Sequence, residues 1–151
     1  MFTGCDASSG AGIGGEGNIV IMGGTINATG TLAAAGIGGR NGECCGNITI
    51  SGGTITATGG SDGDQYHGAG IGSGASGSFP NTISITITSG VEKVTATRGG
   101  DGGECKFIGA GSEGVNGVTL TIDGVADAKT SSDFPNFNSS VSGNTWTLTH
   151  K

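Results

Sequence analysis

Three short phrases recur along the chain in one fixed order, and this repeat limits the possible folds more than any other feature. The first phrase is rich in glycine, and the other two alternate apolar with small polar residues. The copies are "AGIGG" at 11–15 and 35–39, "AGIGS" at 69–73 and a degenerate "IGAGS" at 108–112; "NIVIMGG" at 18–24, "NITISGG" at 47–53, "ISITITSG" at 83–90 and "VTLTIDG" at 118–124; and "TINATG" at 25–30, "TITATG" at 54–59 and "VTATRG" at 94–99, with "VADAKT" at 125–130 as a weak fourth copy.

The phrases alternate with the two-residue period of a β-strand. In "TITATG", Ile55 and Ala57 face one side of the strand, and the three threonines face the other. An amphipathic helix would need apolar residues three or four positions apart, and no segment sustains that spacing. Each phrase is therefore predicted to form one short strand.

Three strands in each of about four repeats predict an all-β fold, a three-sided parallel β-helix (β-solenoid) of about four coils. Equivalent phrases would stack at the strand spacing of about 4.8 Å, with inward Ile, Val and Ala filling a narrow core. A β-sandwich also contains many short strands, but it does not require the same phrases in the same order. We expect one domain, with repeats over 1–130 and a C-terminal capping segment over 131–151 that covers the last coil.

Composition argues against disorder and against two classes of partner. Glycine makes up 35 of 151 residues, but Ile, Val and Thr are frequent and only 12% of the residues are charged, unlike a disordered chain. The net charge of −6, with six Lys and Arg in all, leaves no basic stripe for phosphates, so we expect no nucleic acid as partner. No apolar run approaches the ~20 residues of a membrane-spanning helix, so we expect no membrane insertion.

The repeat resembles a known group of sequences. Phrases such as "NITISGGTITATGG" and "GAGIGG" are similar to the glycine-rich repeats of large cell-surface and secreted proteins of Gram-positive bacteria, some of them labelled carbohydrate-binding. The resemblance covers residues 11–124. It implies an extracellular or cell-surface module of β-helical form, and it carries no catalytic signature. The chain has no signal peptide after Met1 and starts inside a repeat unit, so we expect it to be a segment excised from a longer protein.

The segments that connect the phrases vary most, and inserted loops are where solenoids place their binding residues. We therefore expect a non-catalytic binding or adhesion module that recognises carbohydrate, or a cell-wall or host surface, through these loops. Because repeats stack, the loop at 100–108 is predicted to lie beside the loop at 60–68. The candidate ligand-binding residues are Arg40, Asn41, Asp62, Asp64, Gln65, Tyr66, His67, Asp101 and Glu104.

The sequence gives little indication of a metal site, and it does not determine whether the cysteines form disulfides. We predict no cofactor, with calcium as the one alternative, because Asp62 and Asp64 match part of a D-x-D-x-D-G calcium loop. The two histidines and four cysteines do not show the spacing of a zinc site. For the cysteines two outcomes stay open, disulfides as in exported proteins or free, partly buried thiols. The four residues are Cys5, Cys44, Cys45 and Cys105.

Three other functions stay open. A structural stalk or spacer of a surface protein needs no binding site at all. A polysaccharide-active β-helix enzyme needs paired carboxylates, which only the loops supply. Ice binding would use outward threonine ranks such as Thr54, Thr56 and Thr58, but the repeat alignment predicts that charged residues interrupt them. In the next two coils the aligned residues are Lys93, Thr95 and Thr97, and then Asp127 and Lys129.

Self-association is a further hypothesis. The outward glycines of the first phrase would make a face flat enough for another copy of the chain, although the same glycines also suit close-packed corners between coils. The residues of this face are Gly12, Gly14, Gly36, Gly38, Gly70 and Gly72.

Overall fold

The structure is a computed structural model that describes residues 2–3, 10–63, 65–76, 82–114 and 117–151. Within these residues there is one short 3₁₀ turn, Gly102–Glu104, and no α-helix, so the all-β prediction is confirmed. The strands in chain order are β1 (Phe2–Thr3), β2 (Ile13–Gly14), β3 (Ile19–Ile21), β4 (Thr25–Thr29), β5 (Ile37–Gly38), β6 (Ile48–Ile50), β7 (Gly53–Thr58), β8 (Ser61–Asp62), β9 (Tyr66–His67), β10 (Ile71–Gly72), β11 (Ile83–Ile87), β12 (Val91–Thr97), β13 (Ile108–Gly109), β14 (Val118–Ile122), β15 (Val125–Ala126), β16 (Phe137–Ser142) and β17 (Thr145–His150).

Three stacks of parallel strands organise the chain, and each phrase supplies one stack. Sheet A, from the third phrase, has the order β1-β4-β7-β12 and continues into β17 and β16. Sheet B, from the first phrase, has the order β2-β5-β10-β13. Sheet C, from the second phrase, has the order β3-β6-β11-β14 and ends on β15. The pairing of equivalent phrases that the repeat predicts is therefore confirmed.

Equivalent inward side chains stack on one another through the sheets. In sheet B, Ile71 pairs with Ile37 on one side and with Ile108 on the other. In sheet A, Ile55 pairs with Ile26 and with Val94. These ladders form one buried hydrophobic cluster between the sheets. Stacked β-branched residues suit this pleated, buried surface, because their χ1 angle has few alternatives to lose.

Glycine makes the corner between sheets C and A. Gly53 has a φ of +88°, and a side chain at this position would overlap Gly24 in the coil beneath it. Residues other than glycine rarely adopt this backbone conformation. The glycine pair between the second and third phrases is thus required by both the turn and the close approach of the coils.

The strands of sheet B are only two residues long, and the chain turns tightly on both sides of them. The N–H of Ala69 donates to the carbonyl of Ser73 at 3.1 Å, and the N–H of Ala35 donates in the same way to Gly39 at 2.9 Å. The chain therefore closes on itself around Ile37 and Ile71, and the loops before and after these strands meet outside sheet B, where the N–H of Ala75 donates to the carbonyl of Ala33. A second buried layer, separate from the main cluster, forms there from Ala33, Ala34, Ala35, Ala69, Ala75, His67, Ser73, Cys105 and Ser112.

This arrangement decides between the two readings of the glycine face. Gly36, Gly38, Gly70 and Gly72 are buried, and side chains added to them would overlap the backbone of the neighbouring coil. These four glycines are therefore close-packed between the repeats, which is the second of the two alternatives that the sequence left open.

The prediction that residues 125–130 form a fourth copy of the third phrase is wrong. Residues 125–130 do not stack on β12, because Asp123 and Gly124 turn the chain back with φ values of +54° and +79°. Val125 and Ala126 form β15, which pairs antiparallel with β14. The position beside β12 is occupied by β17, which pairs with it antiparallel and is followed in the sheet by β16. Asp127 and Lys129 therefore do not extend the threonine ranks.

Candidate functional site

Two of the predicted loops lie side by side, as the repeat alignment predicts. The N–H of Gly99 donates to the carbonyl of Gly68 at 2.9 Å, and the 3₁₀ turn Gly102–Glu104 contacts β9. Both loops enter sheet B from the same side, so Asp101 and Glu104 follow the 61–67 hairpin along the stack. We call the loops 60–68 and 98–107 together the loop edge.

The 61–67 hairpin presents polar side chains to solvent. Strands β8 and β9 pair antiparallel, with Ser61 opposite His67 and Asp62 opposite Tyr66. Asp62 and Gln65 are exposed, and 37% of Tyr66 is accessible. Asp64 lies outside the described residues. The hairpin thus holds an exposed ring beside exposed polar groups, which are the elements of a sugar contact.

His67 is not a surface ligand, contrary to the prediction. Only 5% of it is exposed, and its ring packs on Gly100 of the next loop. Its Nδ1 lies 3.0 Å from Ser61 Oγ, and its backbone N–H donates to Ser112 Oγ at 2.7 Å. His67 therefore anchors the hairpin to the neighbouring coil. A buried imidazole needs such partners, because an unpaired polar group would lose its hydration without compensation.

Arg40 and Asn41 belong to the other set of loops, which leaves sheet B. Arg40 is exposed, and its Nη2 donates to Glu43 Oε1 at 2.6 Å. The hydrogen bond with Glu43 raises the pKa of Arg40, and the same bond lowers the pKa of Glu43. Asn41 is half-buried. These two residues follow β5 instead of preceding it, so they are not part of the loop edge.

Cys45 and Cys105 are buried thiols. Cys45 Sγ lies 3.6 Å from the carbonyl oxygen of Gly72, and Cys105 Sγ lies 3.3 Å from that of Gly68. Both are free, so of the two open outcomes these residues adopt the thiol and are not disulfide-bonded. Burial raises the pKa of each to about 11. Cys44 is half-buried, and Cys5 lies outside the described residues.

Metal binding finds no support in the geometry. Over the residues that the structure describes, no group of three His, Cys, Asp or Glu side chains is placed to hold a metal ion. The calcium hypothesis depends on Asp64, whose structure is not described, and it remains a prediction.

A groove lies at the C-terminal end of the stack, where β13 and β14 are the last strands of their parallel runs. It has a volume of about 970 Å³. Its floor is apolar and includes Ile108 and Leu120, inward residues of β13 and β14, together with the buried Ala128 that follows β15. We call it the end groove. A groove of this size fits the range of small-molecule sites.

Charged groups of both signs surround this apolar floor. Acidic and basic side chains come from the loop edge and from the segment that follows β15. They are Arg98, Glu104, Lys106, Asp127 and Lys129. Of the predicted ligand-binding residues that the structure describes, only Glu104 lines the groove.

An aromatic cluster forms one wall of the end groove and holds Arg98 in place. The rings of Phe107 and Trp146 meet edge to face, with centroids 6.4 Å apart. The Arg98 guanidinium lies 4.8 Å above the Phe107 ring and donates to Asn144 Oδ1 at 3.1 Å. The wall therefore joins the loop edge to the C-terminal hairpin, and the sequence assignment of 131–151 to a cap left this role of Trp146 unrecognised.

One comparison with known proteins gives a match. Residues 19–42 and 48–75 match the family model described as the beta helix repeat. These stretches are similar to β-helix repeats. They contain strands β3 to β5 and β6 to β10, and each of the two stretches contributes a strand to every one of the three parallel stacks. The match supports a β-helix repeat module within an all-β fold.

The other two comparisons are negative. No curated protein and no solved structure matches the chain. Among the described residues, no helix has the length and apolar character needed to cross a membrane.

Proposed function

We propose that the three parallel stacks are successive sides of one β-solenoid of about four coils, capped by residues 131–151, and that this solenoid is a non-catalytic extracellular module that binds carbohydrate in the end groove. The observation that carries the proposal is the end groove itself, because it combines an apolar floor, an aromatic wall and charged groups of both signs. The cell-surface location follows the resemblance of the repeat to surface proteins.

The chemistry of the groove suits a sugar. A sugar ring has apolar C–H faces and hydroxyls that both donate and accept hydrogen bonds. Carboxylates such as Glu104 only accept, and ammonium groups such as Lys129 only donate, so a groove with both can pair every hydroxyl. The apolar floor and the ring of Phe107 cover the C–H faces. A strongly charged ligand is less suited, since the acidic and basic side chains nearly balance.

A glycan array tests this proposal with a matched pair of variants. Glu104 and Glu113 are both exposed and have nearly equal φ values of +58° and +55°, but only Glu104 lines the groove. We expect the parent chain to bind one class of glycan, Glu104→Gln to weaken it at least about tenfold, and Glu113→Gln to leave it unchanged. The tenfold estimate corresponds to one lost charged hydrogen bond of about 1.5–3 kcal/mol.

A second pair of variants separates the groove from the 61–67 hairpin. Tyr66→Ala and Val141→Ala each remove an exposed apolar side chain from a hairpin, Tyr66 from the loop edge and Val141 from the C-terminal hairpin β16–β17. If the groove is the site, both retain binding. Loss of binding in Tyr66→Ala alone would move the site to the hairpin, and a parent chain that binds no glycan would remove the proposed function altogether.

One observation favours a second function, polysaccharide cleavage. Glycosidases need two carboxyl groups at one site, and Glu104 and Asp127 line the same groove. The non-catalytic proposal predicts that a bound oligosaccharide stays intact on long incubation. The appearance of new reducing ends, lost in both Glu104→Gln and Asp127→Asn, would establish an enzyme instead.

A further inference from the structure

The outer face of sheet A carries two uninterrupted ranks of small polar side chains. Strand pairing aligns them across five strands, β4, β7, β12, β17 and β16, because the antiparallel hairpin continues the register of the parallel coils. We call these ten residues the threonine face. The first rank is Asn27, Thr56, Thr95, Thr147 and Ser140, and the second is Thr29, Thr58, Thr97, Thr145 and Ser142.

The threonine face is uncharged, although the chain has a net charge of −6. Charges occur only at its border, where Glu92 and Lys93 lie at a bulge of β12 and Glu92 Oε2 accepts a hydrogen bond from Thr54 at 3.0 Å. The face therefore offers nothing to attract an ionic partner, and its charge pattern is complementary to a neutral surface.

The hydroxyls of the face are available to a partner. Thr97 and Thr145 bond to each other at 2.9 Å, whereas the side chains of Thr56, Thr58 and Thr95 make no hydrogen bond within the described chain. Sheet C carries a shorter rank of such threonines, Thr49, Thr86 and Thr121, which begins at the exposed Val20. The hydroxyls of Ser51 and Thr88 on the same sheet donate to backbone carbonyls. Two adjacent ranks that span five strands therefore occur on sheet A, whereas the threonine rank of sheet C spans three strands.

The spacing of the array is set by the backbone. Neighbouring strands lie about 4.8 Å apart, and alternate residues along a strand lie about 6.7 Å apart. Central threonines are half-buried between their neighbours, and a β-branched side chain has few χ1 rotamers. The hydroxyls and methyls thus form an ordered two-dimensional lattice, which loses little entropy when it meets a surface.

We propose that the threonine face binds the surface of ice. A regular, neutral array of hydroxyls and methyls is complementary to a solid whose own surface is a regular array of water oxygens. A crystalline polysaccharide is the competing solid, but its sugar rings present apolar C–H faces that large aromatic side chains would cover. The threonine face contains no aromatic residue, which favours ice.

Partition into a slowly grown ice hemisphere tests the proposal. Thr95 and Thr86 are matched, because each is a half-buried threonine at the centre of the strand that the third repeat adds to its sheet. We expect the parent and Thr86→Lys to be enriched in the ice and to inhibit ice recrystallisation. Thr95→Lys should be no more enriched than a non-binding protein of equal size. Far-UV circular dichroism establishes that each variant is folded.

Ser140→Lys provides a second disruption that does not endanger the fold, since Ser140 is exposed on the edge strand β16, where lysine is well tolerated. It should reduce enrichment in ice. Exclusion of the parent from ice would overturn the proposal, as would equal losses in Thr86→Lys and Thr95→Lys. Adsorption to microcrystalline cellulose or chitin in place of ice would assign the face to a polysaccharide surface.

Discussion

At the scale of single residues, the glycines of the first phrase are required by contact between coils as well as by backbone conformation. Gly72 has a φ of +137°, and a methyl group at this position would overlap the carbonyl oxygen of Gly109 in the next coil. Gly38 stands in the same relation to Gly72. The repeated glycine therefore permits the strands of sheet B to approach one another closely, and at Gly38 and Gly72 it does not form an exposed surface.

A side chain at Gly72 would have two energetic costs, the strained backbone conformation and the overlap with Gly109, and mutation can separate them. Gly15 has a similar φ of +153°, but a methyl group there meets nothing within 4 Å. We expect Gly15→Ala to lower the free energy of unfolding by about 1–3 kcal/mol, the cost of a backbone conformation that is essentially limited to glycine. Gly72→Ala adds overpacking and should cost at least about 3 kcal/mol. Urea denaturation measures both, and equal losses would contradict the coil contact.

The two buried thiols make stability depend on pH in the alkaline range. Burial raises the pKa of Cys45 and Cys105 from the ordinary 9.0 to about 11. The unfolded chain therefore releases these protons at lower pH than the folded chain. Folding stability should fall as the pH rises from 9.0 to about 11, by up to about 3 kcal/mol for each thiol.

Urea midpoints at about pH 8 and about pH 11 measure this loss. The double variant Cys45→Ala, Cys105→Ala is the control, because it lacks the two thiols and keeps every other titratable group of the chain. The variant should lose less stability than the parent over the same interval. An equal loss would mean that the thiols ionise alike in the folded and unfolded chain.

At the scale of elements, the C-terminal hairpin of β16 and β17 continues sheet A beyond β12. Leu148 pairs with Val94, and Trp146 pairs with Ala96, so the hairpin continues the inward ladder in place of a fourth copy of the third phrase. Its side chains complete the hydrophobic cluster. The free edge of β12 is thereby paired, which removes a template for aggregation.

The neighbouring residues Leu148 and Thr149 test this role. Leu148 is fully buried, and Thr149 is exposed on the opposite face of the same strand. We expect Leu148→Ala to lower the free energy of unfolding by about 2–5 kcal/mol. Thr149→Ala should change it by no more than about 0.5 kcal/mol. If thermal or urea unfolding shows two small, similar effects, the hairpin packs only loosely on the repeat.

At the scale of the whole molecule, the two ends of the stack differ. At the N-terminal end, Ile13, Ile19 and Ile26 are only partly buried, whereas their counterparts Ile37, Ile48 and Ile55 one coil further on are fully buried. At the other end, antiparallel strands cover sheets A and C. In a stack each coil gains stability mainly from its neighbours, so the two ends should differ in stability as well.

Hydrogen exchange of two matched amides tests this difference. The N–H of Ile13 donates to Gly36 at 3.0 Å, and the N–H of Ile37 donates to Gly70 at 3.0 Å. The two bonds are alike, so any difference in protection reports on the stability of the coil that contains them. We expect the Ile13 amide to exchange much faster than the Ile37 amide. Equal protection would indicate that the stack opens only as a unit.

Several features were readable in advance because they depend on near neighbours in the chain. The alternation in "TITATG" determines that Ile55 and Ala57 point inward, and the repeated order of phrases determines which strands pair. The turn after β14 could have been read as well, since Asp123-Gly124 is a dipeptide typical of tight hairpins. The resemblance of 125–130 to the third phrase concealed this signal.

By itself, the sequence determined the strands of the well-matched phrases, their inward faces and their pairing between repeats, because period-two alternation and repetition are local and additive. Only the tertiary structure decided that His67 is buried, that Trp146 and Phe107 meet in the wall of the end groove, and that β17 extends the threonine ranks beyond β12. These features join segments that are distant in the chain and share no repeat. Their positions depend on how the loops and the C-terminal segment pack against the finished stack, which no local pattern encodes.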